Sequence, residues 1–218
     1  MPRSFSINQH NPYYPNSLLD LPNPPKTLYC CGNLDCLKLN LIAIVGARQA
    51  SPEGLVCAHY YAKSLVNHGF SIISGLARGI DTAAHTGALS LSQRLATVAI
   101  LPTSLNKCYP PENIALLHQI ELRGLVITEY QPHQPIFKSN FRDRNRIIAA
   151  LCKGVLIVEA SDKSGALITA NWCAQLGKEV FVIPHKPWDK NAAGCNRLIQ
   201  QGAKLVTNIA DILEELIT

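Results

Sequence analysis

No apolar stretch in this 218-residue chain approaches the roughly 18 residues of a membrane span, and the opening MPRSFSINQHNPYYPN follows its single arginine with no apolar core. Neither a span nor a secretory leader is expected, so the reading is a soluble, cytoplasmic protein. No charge of one sign dominates: 20 Lys and Arg face 15 Asp and Glu, a formal net charge of +5. Such a balance permits an acidic partner but lacks the density of a polybasic protein. The paired CxxC of many zinc sites is missing from the eight cysteines, at 30, 31, 36, 57, 108, 152, 173 and 195. Most lie in apolar runs and read as small buried hydrophobes of a reducing compartment. Only Cys30, Cys31 and Cys36 cluster, three thiols with no histidine nearby, so zinc is the minority reading and no metal is expected. Neither GxGxxG nor a P-loop occurs, which argues against ordinary dinucleotide binding and leaves no cofactor expected. His85, His118, His133 and His185 pair with no nearby Ser or Cys in the manner of a nucleophile and its base.

What the chain does have is 47% hydrophobic content, in a pattern that changes near residue 40. Residues 1–39 are rich in Pro, Asn and Tyr, and Leu21-Pro22-Asn23-Pro24-Pro25 cannot continue a helix or a central strand. They read as an extended lead-in packed on one domain, 40–218. From there, apolar runs at Leu41–Val45, Phe70–Ile73, Ala96–Leu101, Leu125–Thr128, Val155–Val158, Val180–Ile183 and Lys204–Val206 alternate with helical stretches. The helices are expected at 53–67, 80–90, 112–122, 143–153, 166–176, 194–202 and 208–217, with Gly69 and Gly177 as C-caps. Most runs are nearly unbroken rather than alternating, as strands of a parallel sheet covered on both faces require. The expected fold is therefore α/β: an extended Rossmann-like, doubly wound, mostly parallel sheet with helices on both faces. Ligands of such sheets bind at the carboxyl ends of the strands.

Four strand ends carry polar chemistry. In Val45-Gly46-Ala47-Arg48, the glycine would let amides approach a phosphate, the following helix N-terminus adds positive partial charge, and Arg48 offers a bidentate fork. A plain turn with a solvated arginine accounts for that segment equally well. In Ser74-Gly75-Leu76-Ala77-Arg78-Gly79-Ile80-Asp81, two glycines and Arg78 offer a second set of donors, with Asp81 as a cap or first-turn acid. Phe137-Lys138-Ser139-Asn140-Phe141-Arg142-Asp143-Arg144-Asn145-Arg146 interleaves four cations with two rings, which suits a groove where phosphates meet Lys or Arg and unpaired bases stack. One of the two rings is expected to serve the core. Finally, Ser164-Gly165 opens a helix that carries Thr169, and exposed amides there would take a phosphate unless Ser164 merely caps.

In this order the segments resemble the DNA-processing protein A (DprA/Smf) family from residue 41 to about 213. Further matching strings are Tyr109-Pro110 with Asn113, Arg144-Asn145-Arg146-Ile147-Ile148-Ala149, Val158-Glu159-Ala160, and Gly194-Cys195-Asn196-Arg197-Leu198-Ile199 with Gly202-Ala203. The resemblance implies binding of single-stranded DNA largely without sequence preference, homodimerisation, and help in loading RecA recombinase onto DNA taken up in natural transformation. Carried onto this sequence, it gives phosphate contacts to Arg48, the amides around Gly75 and Gly79, Lys138, and Ser164-Gly165. It makes Phe141 the base-contacting ring and sets Arg144 and Asn145 at the pocket floor. Two loops depart from the family pattern, Pro102–Cys108 and Ile183-Pro184-His185. Neither the helical N-terminal domain nor the winged-helix domain of many members is expected, and the dimer surface is expected around Leu198, Ile199 and the 208–217 helix.

Two rivals come from related architectures. A nucleoside-monophosphate phosphoribohydrolase of the LOG type would need a glycine-rich stretch followed by Glu, where this chain has Glu159-Ala160-Ser161-Asp162-Lys163-Ser164-Gly165. A nucleotide-sensing Rossmann protein would use the same phosphate pocket for one nucleotide. Asp81 and Glu159 are the only strand-end carboxylates able to act as a base, and each is expected instead to orient an arginine such as Arg78 or Arg144. No catalytic residue is expected.

Overall fold

A computed structural model describes residues 4–92 and 95–216. Residues 1–3 of the expected lead-in and residue 217 of the last expected helix lie outside the described residues. In chain order the elements are β1 (Ser4–Asn8), β2 (Thr27–Gly32), β3 (Leu41–Val45), α1 (Pro52–Asn67), β4 (Ser71–Ser74), α2 (Ile80–Leu89), β5 (Thr97–Ile100), α3 (Ile114–Arg123) and β6 (Leu125–Thr128). They continue with α4 (Asn140–Leu151), β7 (Gly154–Ile157), α5 (Ala166–Gln175), β8 (Glu179–Val182), α6 (Ala193–Gln200), β9 (Lys204–Leu205) and α7 (Ala210–Leu216).

Among the described residues, nine strands join one sheet in the order β1-β2-β6-β5-β4-β3-β7-β8-β9. Strands β3 to β9 are parallel, so the chain winds outward from β3 to β6, returns, and winds the other way from β7. The reversal between β3 and β7 is the switch point of a doubly wound sheet, where a crevice opens at the carboxyl ends. All five residues of β3 are buried. Ile42 and Ile44 pack with Ala58, Leu65 and Ala84 of α1 and α2 on one face, and Ala43 and Val45 with Ile148, Ala149 and Ala170 of α4 and α5 on the other. That two-sided burial is why the strands read as unbroken apolar runs. Gly69 and Gly177, at φ +84° and +67°, take the left-handed conformation that ends α1 and α5.

Three expectations need correction. Residues 1–39 do more than lie on the domain: β1 and β2 pair antiparallel, and β2 pairs antiparallel with β6, so both strands extend the sheet. Only Ile7 of β1 is buried, and an edge strand that shows one face partly to solvent writes no clear period. Helix α4 begins at Asn140, three residues before the expected start, which places Phe141 and Arg142 in its first turn. Leu198 is buried beside Cys195 in the core and is not part of an exposed surface. Among the described residues, no helix is long and apolar enough to cross a membrane, and no group of three or more His, Cys, Asp or Glu could hold a metal ion.

Candidate nucleic-acid interface

At the switch point lies an open cleft of about 610 Å³. Its walls are the Gly46-Ala47-Arg48 turn after β3, Ala77 and Arg78 after β4, Glu159 and Ser161 after β7, Ser164 and Gly165 before α5, and Ala166, Ile168 and Thr169 in its first turns. Helix α4 contributes Phe141, Arg144, Asn145 and Ile148, spaced i, i+3, i+4 and i+7 and therefore on one helical face, with Arg142 beside them. Arg146, two positions past Arg144, falls on another face and pairs with Glu129 at 2.6 Å. It lines a separate hollow near Lys26, so the expected DNA contact at Arg146 is not in the cleft. Ser74 is also outside it, fully buried with its hydroxyl donating to the Ile44 carbonyl at 2.6 Å. Lys138 is exposed on the segment leading into α4 and does not line the cleft.

Most of the expected phosphate glycines are pressed close by the protein's own atoms on the side a side chain would take. A methyl on Gly46 would lie 2.6 Å from the Ile80 side chain and 2.8 Å from the Glu159 carbonyl, and one on Gly79 would lie 2.2 Å from the Ala47 carbonyl. Gly75 is buried beneath the Arg144 guanidinium, which would sit 1.9 Å from an added methyl. The space these three leave is thus filled by the protein's own atoms. Only Gly165, where a methyl would meet nothing within 4 Å, faces open space among the four expected phosphate glycines.

The positive end of α1 is likewise taken. Both carboxylate oxygens of Glu159 accept from the Ser51 amide, at 3.2 and 3.1 Å, and one accepts from the Ser51 hydroxyl at 2.6 Å. The Ala47 amide donates to the Glu159 carbonyl at 2.7 Å. A buried carboxylate on the helix N-terminus satisfies the partial charge that was expected to meet a phosphate. Glu159 therefore orients a serine and a helix end rather than an arginine. Asp81, also buried, accepts from the Gly75 and Ala77 amides at 3.1 and 3.2 Å. Burial raises its carboxyl above the usual range, and the nearby Arg144 charge partly offsets this. Burial conversely pushes Arg144 down to about 10, with Asp81 acting to hold it up. Arg144 donates to the Ile100 carbonyl, and Asn145 donates to the Gly165 carbonyl at 3.3 Å, so both form the floor while tying α4 to its neighbours. Arg78, by contrast, pairs with Glu112 at an exposed site, where such pairs contribute little.

What remains available to a ligand is positive and aromatic. Arg48 and Arg142 are exposed and make no ion pair among the described residues. The Arg48 guanidinium lies 5.5 Å from the centre of the Phe141 ring, and Phe141 meets Tyr109 edge-on at 4.9 Å between centroids. Tyr109 belonged to a matching string but was not singled out as a site residue. It stands far from the charged run in sequence, and only the turn that carries it over Phe141 reveals its place. A cation over a ring, with a second ring against it, is the arrangement that receives an unpaired base and its phosphate.

The family model for DNA recombination-mediator protein A matches residues 6–217. DNA processing protein DprA of Streptococcus pneumoniae is 43% identical over 212 residues, covering 97% of this chain and 73% of that protein. Protein Smf of a Synechocystis species is 40% identical over 214 residues, covering 96% of this chain and 53% of that protein. The chain thus spans about half to three quarters of the length of these relatives. In structure it is similar to the S. pneumoniae protein, with a TM-score of 0.91 at 41% identity over 97% of this chain and 74% of that one. It is similar also to DNA processing protein A of Helicobacter pylori, whose structure concerns its single-stranded DNA binding mode, with a TM-score of 0.88 at 29% identity over 100% of this chain and 98% of that one. A molybdenum cofactor binding protein from Rippkaea orientalis, at 15% identity and a TM-score of 0.59, shares the fold alone.

Proposed function

Because this chain belongs to the DNA recombination-mediator protein A family, we propose that it binds single-stranded DNA in the cleft between β3 and β7 and performs no chemistry on it. Arg48 over the Phe141 ring, with Tyr109 edge-on against that ring, carries this reading: the arrangement offers a base a ring and its phosphate a cation. The H. pylori relative, similar over the whole of this chain, supports it. The two carboxylates among the residues lining the cleft support the absence of catalysis. Asp81 is spent on two backbone amides and Glu159 on Ser51, so neither is placed to take a proton from a substrate. RecA loading, homodimerisation, a cytoplasmic setting and a part in natural transformation complete the proposal on the strength of family membership.

Fluorescence anisotropy with oligo-dT tests the reading. Affinity rises with oligonucleotide length and falls steeply with salt, as release of counterions requires. Arg48→Ala and Arg142→Ala, both on the cleft wall, weaken binding to all sequences alike, and Phe141→Ala removes about 1–3 kcal/mol of stacking. Equal affinity for a mononucleotide and for an oligo-dT at the long end of the roughly 4–16-nucleotide sites of other single-strand binders would make the cleft a nucleotide sensor instead. Release of free base from a nucleoside monophosphate by the same preparation would make it a hydrolase.

A further inference from the structure

We infer that the bound strand continues past the cleft, over Arg48, into the groove between α1 and α2, where Tyr60 stacks a further base and Lys63 meets a further phosphate. The inference rests on the single-strand reading of the cleft. Arg48 is the shared wall of three adjoining hollows: the cleft, a small recess under Tyr109 and Phe141, and an open groove of about 810 Å³ along α1 and α2. Gln49 also lines both the cleft and the groove, so a chain leaving the cleft by way of Arg48 enters the groove directly.

The wall that α1 gives the groove includes Val56, His59, Tyr60 and Lys63, spaced i, i+3, i+4 and i+7 on one helical face. Helix α2 supplies only Thr82, Ala83 and Thr86 opposite. The two helices approach closely nearby, since a methyl on Gly87 would lie 2.4 Å from the His59 carbonyl. Val56 is 70% exposed and Tyr60 54%, and the Tyr60 ring is steadied edge-on by Tyr61 at 5.4 Å. At 1.5 Å per residue, Lys63 stands about 16 Å along the helix from Pro52, which places it well beyond the cleft.

The chemistry selects the occupant. The cations Arg48 and Lys63 border the groove, and among the described residues neither Asp nor Glu lines it. An apolar floor with an exposed ring and a cationic border offers bases a platform and phosphates a counter-charge. A second copy of the chain meeting itself across a two-fold axis would set this border against its own like charges.

The test measures binding of oligo-dT of about six and about twenty nucleotides, spanning the site sizes of other single-strand binders, to the full chain. Tyr60→Ala lowers affinity for the longer strand at least about fivefold, leaves the shorter one bound as by the parent, and is rescued by Tyr60→Phe. Lys63→Ala reduces the slope of log affinity against log salt by about 0.7 for the longer strand only. The inference is overturned if both variants bind the two lengths as the parent does, or lose both equally. It is overturned too if Tyr60→Ala changes the oligomeric state in light scattering, which would make the groove a contact between copies. Failure of the parent itself to bind either length removes the cleft reading and this inference with it, and is told apart from the other outcomes by that control.

Discussion

Gly79 and Gly165 hold the same place in two helices, each the residue before the first turn of α2 and of α5, and each was read from sequence as a phosphate-facing glycine. Around Gly79 the space that a side chain would take is shut. Its backbone sits at φ +72° and ψ −123°, and the Ala47 carbonyl occupies the position a side chain would take. Around Gly165 the backbone is ordinary, at φ −62°, and the space is empty. One side of the switch point is a sealed joint that holds the β3 and β4 turns to α2 and α4, and the other is an open shelf. A strand end with glycine before a helix thus carries two meanings, and what stands opposite decides between them.

Gly79→Ala is the sharpest attempt to break the comparison. Its methyl must overlap a backbone oxygen in a conformation that side chains rarely adopt, so about 3 kcal/mol or more of stability is expected to be lost. Urea unfolding followed by circular dichroism reads this as a lower midpoint at unchanged slope. Stability within about 0.5 kcal/mol of the parent would mean that the joint is not sealed.

Acid probes the same closed side through His85, which lies fully buried near Arg144. The Thr97 hydroxyl donates to the Ile72 carbonyl at 2.9 Å, so it accepts from His85 Nδ1 at 2.7 Å, and Nε2 is buried with no hydrogen-bond partner among the described residues. Burial, with the Arg144 charge adding to it, pushes the imidazole down to about 3. The unfolded chain, with an ordinary value near 6.5, takes up the proton first. Stability is therefore intact above about pH 6.5 and falls by roughly 1.4 kcal/mol per pH unit below it, until the folded histidine also titrates. Asp81 acts in the opposite sense, because burial raises its carboxyl and the folded state binds that proton more readily. Comparison with His85→Asn, whose amide can still reach Thr97, isolates the histidine. Parallel pH profiles for the two proteins in thermal unfolding between pH 7 and 5 would count against a sealed cluster.

The seven parallel strands and their helices were legible because burial on both faces writes unbroken apolar runs such as Leu41–Val45 and Leu125–Thr128. β1 and β2 were not, since Ser4–Asn8 buries a single residue and its pairing partners lie in a second short segment beyond a proline-rich stretch. The site was legible as a set of strand ends, and the four-residue stripe of α4 followed once the helix start was known. The roles within it were not legible. Gly75 is shaped by Arg144, Gly46 by Ile80 and Glu159, and the helix end at Ser51 by Glu159, a partner 108 positions away. Local sequence shows what a turn can do and leaves silent which distant side chain has already used it.

Gly165→Ala is the smallest expected change and the one that bears most directly on function. The methyl meets no atom within 4 Å and the backbone is already near helical values, so stability should stay within about 0.5 kcal/mol of the parent. Yet that methyl stands on the wall of the cleft beside Ser164 and Thr169. If the shelf is where phosphates approach, the variant binds oligo-dT several-fold more weakly at the same unfolding midpoint, with the loss appearing for short and long strands alike. A fall in stability of more than about 1 kcal/mol would instead class Gly165 with Gly79 as part of the joint. Unchanged stability with unchanged binding would leave the shelf open but place the strand against Arg48 and Phe141 alone.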